Sequence, residues 1–203
     1  MSRMERRALV GAAIVVSALA LTSPALAQQR AIDQCVNKKS GYTPEEQIRG
    51  CTDAIESGKW SGSGLSWAYG NRCIGYKDKG EYDRAIEDCD RAIELDPRNP
   101  FAYNSRGAAY YFKKDYDQSI ADYAQAIRFN PKFIDPIHNT GISYAAKGDY
   151  DTAIAMYNKA LRIDARDPTA LYNRGVAKQH LGDDAGGDAD IAAAREIDPN
   201  IGR

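Results

Sequence analysis

The stretch GYKDKGEYDRAIEDCDRAIELDPRNP, residues 75–100, reads as two helical segments that meet at Gly80-Glu81. Thirty-four residues on, the chain repeats the pattern as AYYFKKDYDQSIADYAQAIRFNPKFI (109–134). After thirty-four more it repeats it again as SYAAKGDYDTAIAMYNKALRIDARDP (143–168). In the second copy Tyr103, Tyr110, Tyr116, Ile120, Tyr123 and Ile127 fall at helical spacing with polar residues between them, the pattern of amphipathic helices with one buried stripe. Asn99-Pro100, Asp135-Pro136 and Asp167-Pro168 each set a side-chain acceptor before a proline, whose missing N–H costs nothing in a first helical turn. Gly80, Gly148 and Gly182 close the first helix of their pairs, and an acidic residue opens the next. The unit is a helical hairpin, and the chain is predicted to be all-α.

The period and its residues resemble the tetratricopeptide repeat (TPR) family, an α-solenoid of stacked antiparallel hairpins. That family sets small residues where its two helices touch. Here Gly107, Gly141 and Gly175 stand at the first such place, Ala85, Ser119 and Ala153 at the second, and Ala92, Ala126, Ala160 and Ala194 at the third. Large residues between them include Tyr76, Tyr110 and Tyr144 on first helices and Tyr123 and Tyr157 on second helices. Pro97, Pro131 and Pro199 close units, and Ala165 departs from the pattern. The resemblance covers residues 66 to 199.

Working outward from the repeats, GYTPEEQIRGCTDAIESGK (41–59) looks like the second half of one more hairpin. Thr43 and Glu46 make a capping box, Pro44 sits first in the helix, and Gly58 ends it. Residues 28–38 could supply its first helix, and SGKWSGSGLS (57–66) is a longer loop to the first full repeat. At the other end, the last hairpin carries Asp184 and Gly187 where its predecessors hold tyrosine or serine and alanine, the polar finish that a solenoid end requires. The chain begins with Arg3, Arg6 and Arg7, an apolar run from Ala8 to Leu21, and Ala25-Leu26-Ala27. This is the plan of a secretory signal peptide cut after Ala27, since its apolar run falls short of the roughly 20 residues that span a bilayer. The expected organisation is a signal peptide (1–27), an N-terminal cap and linker (28–65), three full repeats (66–99, 100–133, 134–167) and a degenerate fourth that caps the C-terminus (168–203). This opening also resembles that of small exported TPR proteins of Gram-negative bacteria, which implies an exported, periplasmic location and no integral membrane segment after cleavage.

Four cysteines in an exported chain invite bridges. Cys35 and Cys51 are sixteen residues apart, and so are Cys73 and Cys89. In the repeat frame Cys73 takes the slot of Gly107 and Gly141, and Cys89 that of Tyr123 and Tyr157. Aligning Ala54 with Ala92 places Cys35 and Cys51 in the same two slots. The matched spacing favours Cys35–Cys51 and Cys73–Cys89, each stapling one hairpin, with free buried thiols as the alternative. The partner level with Cys73 is near Ala85, so such a bridge must run slantwise and still bring Cα atoms within about 7 Å. Cysteines in mid-helix lack the helix N-terminus and C-x-x-C spacing that lower a thiol pKa in thiol–disulfide enzymes.

Without residues 1–27 the chain keeps 24 basic and 27 acidic side chains, a formal charge of −3 with no basic stripe, which argues against a nucleic-acid partner. No G-x-S-x-G, H-E-x-x-H or phosphate loop is present, and neither a catalytic residue nor a cofactor is expected. His138 and His180 lie at opposite ends of neighbouring first helices and cannot share a metal ion. Acidic pairs such as Glu87-Asp88 and Asp183-Asp184 fit solvated helix faces.

The family resemblance implies a concave groove, lined by first helices, that binds a protein or peptide partner. Its register carries over to Trp67 and Ile74, to Phe101, Asn104, Ala108, Tyr111 and Phe112, to His138 and Ile142, and to Tyr172, Val176 and Gln179. Ile74 and Phe112 could equally belong to the core between repeats. Trp67, Phe101, Tyr111 and Tyr172 are the expected amphipathic anchors. The lysine, arginine and asparagine clamp that some relatives use on chaperone C-termini is absent, because its slots here hold Gly70, Ile74, Ser105, Asp135 and Asn139. A purely structural adaptor, working through its convex face or its ends, is the other binding role left open.

Overall fold

The computed structural model describes residues 24–37 and 41–203. The apolar run of the expected signal peptide lies outside the described residues, and the expected cut after Ala27 falls inside the first described helix. Among the described residues ten α-helices follow one another: α1 (Pro24–Cys35), α2 (Pro44–Glu56), α3 (Ser66–Asp78), α4 (Tyr82–Leu95), α5 (Pro100–Phe112), α6 (Tyr116–Phe129), α7 (Ile134–Ala146), α8 (Tyr150–Ile163), α9 (Pro168–His180) and α10 (Asp184–Ile197). One 3₁₀ turn, Gly62–Leu65, leads into α3. No strand occurs among the described residues, and no described helix is long and apolar enough to cross a membrane.

Each helix packs on its chain neighbours, and α3, α5, α7 and α9 also touch one another in succession. No comparable contact links α4, α6, α8 and α10. First helices therefore crowd the inside of the curve, and second helices fan out on its outside.

Local signals place the ends. Thr43 and Glu46 form a reciprocal capping box, with Thr43 Oγ1 accepting from Glu46 N at 3.2 Å and Glu46 Oε2 accepting from Thr43 N at 3.0 Å. Asn99 caps α5, and Asp115, Asp149, Asp167 and Asp183 cap α6, α8, α9 and α10. Gly80, Gly148 and Gly182 take positive φ at the turns, and Lys114 holds the same left-handed slot (φ 64°) in the second repeat. The expectation for Asp135-Pro136 is corrected. Helix α7 starts at Ile134, and its cap position is Phe133 without a side-chain bond. The repeat register fixes that boundary, and a proline two residues later still falls among the first four N–H groups, which have no intrahelical acceptor.

The core of each hairpin is a contact between one first-helix residue and the residue sixteen positions on. A Cβ built on Gly107 would stand 2.8 Å from the Tyr123 ring, one on Gly141 2.5 Å from the Tyr157 ring, and one on Gly175 2.8 Å from Ile191. Tyr123 and Tyr157 are 2% and 1% exposed, and burial pushes both phenols above their usual range. In the two N-terminal hairpins the same places hold cysteines. Cα atoms lie 4.4 Å apart for Cys35 and Cys51 and 5.5 Å apart for Cys73 and Cys89, so the slantwise approach is within bridging range.

A second contact of the same spacing contradicts the reading of Glu87-Asp88 as a solvated pair. Asp88 is buried and receives both Arg72 Nε and Nη2, at 2.7 and 2.8 Å. Arg106 grips Asp122 in the same way at 2.8 and 2.6 Å and reaches Asp90 of the preceding hairpin. Arg174 grips Asp190 at 2.7 and 2.6 Å and donates to Asn158. Hydrogen bonding to Asp122 raises the Arg106 pKa, so the guanidinium stays charged. Burial outweighs that contact at Asp122 and leaves its carboxyl above its usual range. At Asp190 burial is again the largest influence, but hydrogen bonds from Arg174 and Lys178 together outweigh it and hold the carboxyl below its usual range. The third repeat has Thr140, Met156 and Ala124 at the corresponding three places, so arginine and both its partners are absent together.

Arg106→Met leaves the buried Asp122 uncompensated and is expected to cost about 3 kcal/mol, a fall in melting temperature of roughly 6–12 °C for a chain of this size. Copying the third repeat with Arg106→Thr, Asp122→Met and Asp90→Ala should restore most of that loss. Thermal melts followed by circular dichroism compare the two, and equal losses would show that the pair is not the source.

Candidate binding groove

Three cavities run in series along the first helices. One of about 230 Å³ lies between α3 and α5, lined by Trp67, Gly70, Asn71, Ile74, Asn99, Phe101, Ala102 and Ser105. The next, about 510 Å³, shares Ile74 and Ser105 with it and continues past Asn104 and Ala108 to His138, Asn139 and Ile142. A third, about 190 Å³, shares Ile142 and extends to Asn173, Val176 and His180, with Tyr150 and Tyr157 of α8 as its outer wall. Together they make one groove across α3, α5, α7 and α9.

Its aromatic walls sit at the N-terminal end. Phe101 is 61% exposed, yet its ring is braced by Phe133 at 5.0 Å, and Trp67 is braced edge-on by Trp60 at 5.4 Å. Both braces come from connecting segments, Trp60 from the loop before α3 and Phe133 from the cap position of α7. The slot of Trp67 and Phe101 holds Asp135 and then Thr169 further along, so the groove changes from aromatic to polar.

Amide side chains line its floor. Asn139 Nδ2 donates to Asn104 Oδ1 at 3.2 Å, and Asn71 Nδ2 donates to Trp67 O at 2.8 Å. His138 Nε2 lies 2.7 Å from Asp167 Oδ2, within ion-pair range, but off the direction of a good hydrogen bond. The other carboxylate oxygen, Asp167 Oδ1, caps α9 through Ala170 N. Among the described residues no three His, Cys, Asp or Glu side chains gather in a way that could hold a metal ion.

The residues expected at the site divide accordingly. Trp67 and Phe101 meet in the first cavity, and Asn104 and His138 in the second. Ile74 and Phe112 both line the groove, although Phe112 also stacks on Tyr82 at 5.5 Å. Tyr111 does not join them. Its ring packs on Phe112 and Tyr116 at 5.6 and 5.5 Å, and burial raises its phenol pKa. It belongs to the packing inside the α5–α6 hairpin, because one step along a helix turns a side chain by roughly 100°. Tyr172 lies under the C-terminal turn, where a Cβ on Gly202 would stand 2.3 Å from its ring. Ser105, Asn71 and Gly70 are groove residues outside the expected binding set. Comparing the four repeats slot by slot against one another is the signal that exposes Gly70.

Models of the tetratricopeptide repeat match residues 76–114, 141–182 and 100–133. The chain carries tetratricopeptide repeats over residues 76–133 and 141–182. No curated protein sequence matches it. Among solved structures it is similar to TTC0263, a thermophilic TPR protein from Thermus thermophilus, with a TM-score of 0.71 and 18% identity over 86% of this chain and 93% of that one. It is similar to MamA, with a TM-score of 0.66 and 22% identity over 77% of this chain and 89% of that one. It is also similar to YrrB, described as a TPR protein with an unusual peptide-binding site, with a TM-score of 0.64 and 18% identity over 85% and 84% of the two chains.

The two aromatic positions should respond differently to truncation. Tyr111→Ala removes a packed ring and is expected to cost about 2 kcal/mol of stability. Phe101→Ala, at an exposed position, should cost less than about 1 kcal/mol. Urea denaturation of both variants tests the assignment, and the reverse order would return Tyr111 to the groove.

Proposed function

We propose that this chain is an exported scaffold, without enzymatic activity, that binds an extended segment of another protein along the groove of first helices. The observation that carries this reading is the run of three linked cavities, with aromatic walls at one end and amide side chains on the floor. Amides pair with the N–H and C=O groups of an extended backbone, and braced aromatic rings offer contact area at little entropic cost. The peptide-binding site of the similar YrrB structure lends support by analogy. All four cysteines are 0% exposed, and the pairs Cys35–Cys51 and Cys73–Cys89 act as structural bridges suited to the periplasm, not as reactive thiols.

The groove is tested by capture of the partner from an envelope extract. Ala108→Arg places a long charged side chain in the second cavity and should weaken capture at least tenfold without lowering the melting temperature. Ala155→Arg, on the outer face of α8, should leave capture unchanged. The opposite result would favour the structural adaptor that works through its convex face.

Export and pairing are read from the purified periplasmic protein. Its N-terminus is expected at Gln28, and peptides mapped without reductant should link Cys35 to Cys51 and Cys73 to Cys89. An intact Met1, or links between Cys51 and Cys73, would overturn the corresponding part.

A further inference from the structure

The slot that puts Asn104 and His138 in the second cavity holds Gly70 in the first repeat and Tyr172 in the last. The other helix-contact glycines have a packing reason, because an added Cβ would strike a neighbour. Gly70 has none: a Cβ built there meets only Ala92 Cβ, at 4.0 Å. A glycine inside a helix weakens it, so this one costs stability and yields space. The space is the 230 Å³ cavity between Trp67 and Phe101.

The geometry points to this cavity as a pocket for one large, uncharged, apolar side chain of the bound segment, phenylalanine or leucine in class, an assignment that rests on the groove reading above. Three observations fix that chemistry. Size comes first, since an apolar cavity of about 150 Å³ holds a benzene ring, and this one is larger. Charge is second. No lining residue is ionisable, whereas the next cavity carries Lys77, Asp135 and His138, so a charged anchor would lose its water without compensation. The third is a polar group on the pocket wall. Ser105 lines both cavities, and its hydroxyl makes no hydrogen bond to another described residue while staying open to the groove. The backbone of a peptide whose side chain fills the pocket supplies it with a partner. A lipid chain or a free hydrocarbon does not. The braces from Trp60 and Phe133 hold both walls apart before anything binds.

The probe is acetyl-Gly-Phe-Gly-amide, titrated into the full mature chain and followed by the Trp67 indole and Ser105 amide NMR signals. Saturable shifts of both are expected. The Glu and Lys versions of the peptide should bind at least tenfold more weakly, and toluene should move Trp67 without moving Ser105. Gly70→Leu should abolish the shifts while melting no lower than the parent chain, and Gly70→Ala, a smaller intrusion, should give an intermediate affinity. Absent shifts with the Phe peptide, equal binding of the charged peptides, or unchanged binding by both Gly70 variants would overturn the pocket. If Gly70→Leu leaves partner capture intact while Ala108→Arg abolishes it, the anchor pocket fails and the groove stands. If neither substitution affects capture, the groove reading fails as well.

Discussion

The close approach of a first-helix residue to the residue sixteen positions later is the constraint on which the rest of this structure depends. Two helix axes pack tightly where the side chains between them are small, and the space a glycine leaves must then be filled from the other helix. Gly107 with Tyr123 and Gly141 with Tyr157 satisfy both demands at once. Gly175 with Ile191 repeats the solution with a smaller filler. Cys73 with Cys89, and Cys35 with Cys51, solve it differently: two medium side chains meet at Cα separations of 5.5 and 4.4 Å. The cysteine pairs are thus another chemistry for a contact that every hairpin must make.

That constraint has a consequence for the groove. Because the hairpin interior takes alanine, glycine, serine and an inward ring from the second helix, the first helices have little interior to fill with bulk of their own. Their larger side chains are free to pack at the hairpin's flank or to face the concave surface. Tyr111 takes the first course, against Tyr116 of its own hairpin, and Phe101 the second. The arginine pairs then fix one hairpin against the next, since Arg106 touches Asp122 of its own unit and Asp90 of the unit before. Arg174 makes the corresponding link from the fourth unit to Asn158 of the third, while the third unit, with Thr140 in the arginine place, packs on the second without one.

Much of the architecture was legible from spacing alone, because helix ends and helix contacts are local or repeat with a fixed period. The first helices begin at Ser66, Pro100, Ile134 and Pro168, where the repeat register puts them. The misplaced α7 cap shows the limit of a local rule: Asp135-Pro136 looks like a cap, but register outranks it, and Phe133 occupies the position. The arginine–aspartate pairs were hidden for another reason. An acidic residue on an amphipathic helix looks solvated until its partner is known, and the partner of Asp88 lies sixteen residues away. Tyr111 was missed because one residue of rotation separates the groove from the packed flank, finer than a family register carried over from other chains can resolve.

An internal repeat is its own alignment, and its exceptions are as informative as its rule. Loss of Arg106's counterpart in the third unit comes with loss of both acidic counterparts, so that exception is a compensated change in packing. The change from Trp67 and Phe101 to Asp135 and Thr169, with Gly70 against Asn104, His138 and Tyr172, has no such compensation inside the hairpins, since Gly70 answers to no neighbour and Phe101 stays largely exposed. Stability alone would favour a residue other than glycine in mid-helix and would not place a phenylalanine in water. Where a repeat departs from its own pattern at a cost to stability, and the departures converge on one cavity, a bound segment of the kind proposed above would supply the compensation. In this protein that convergence lies at the N-terminal end of the groove.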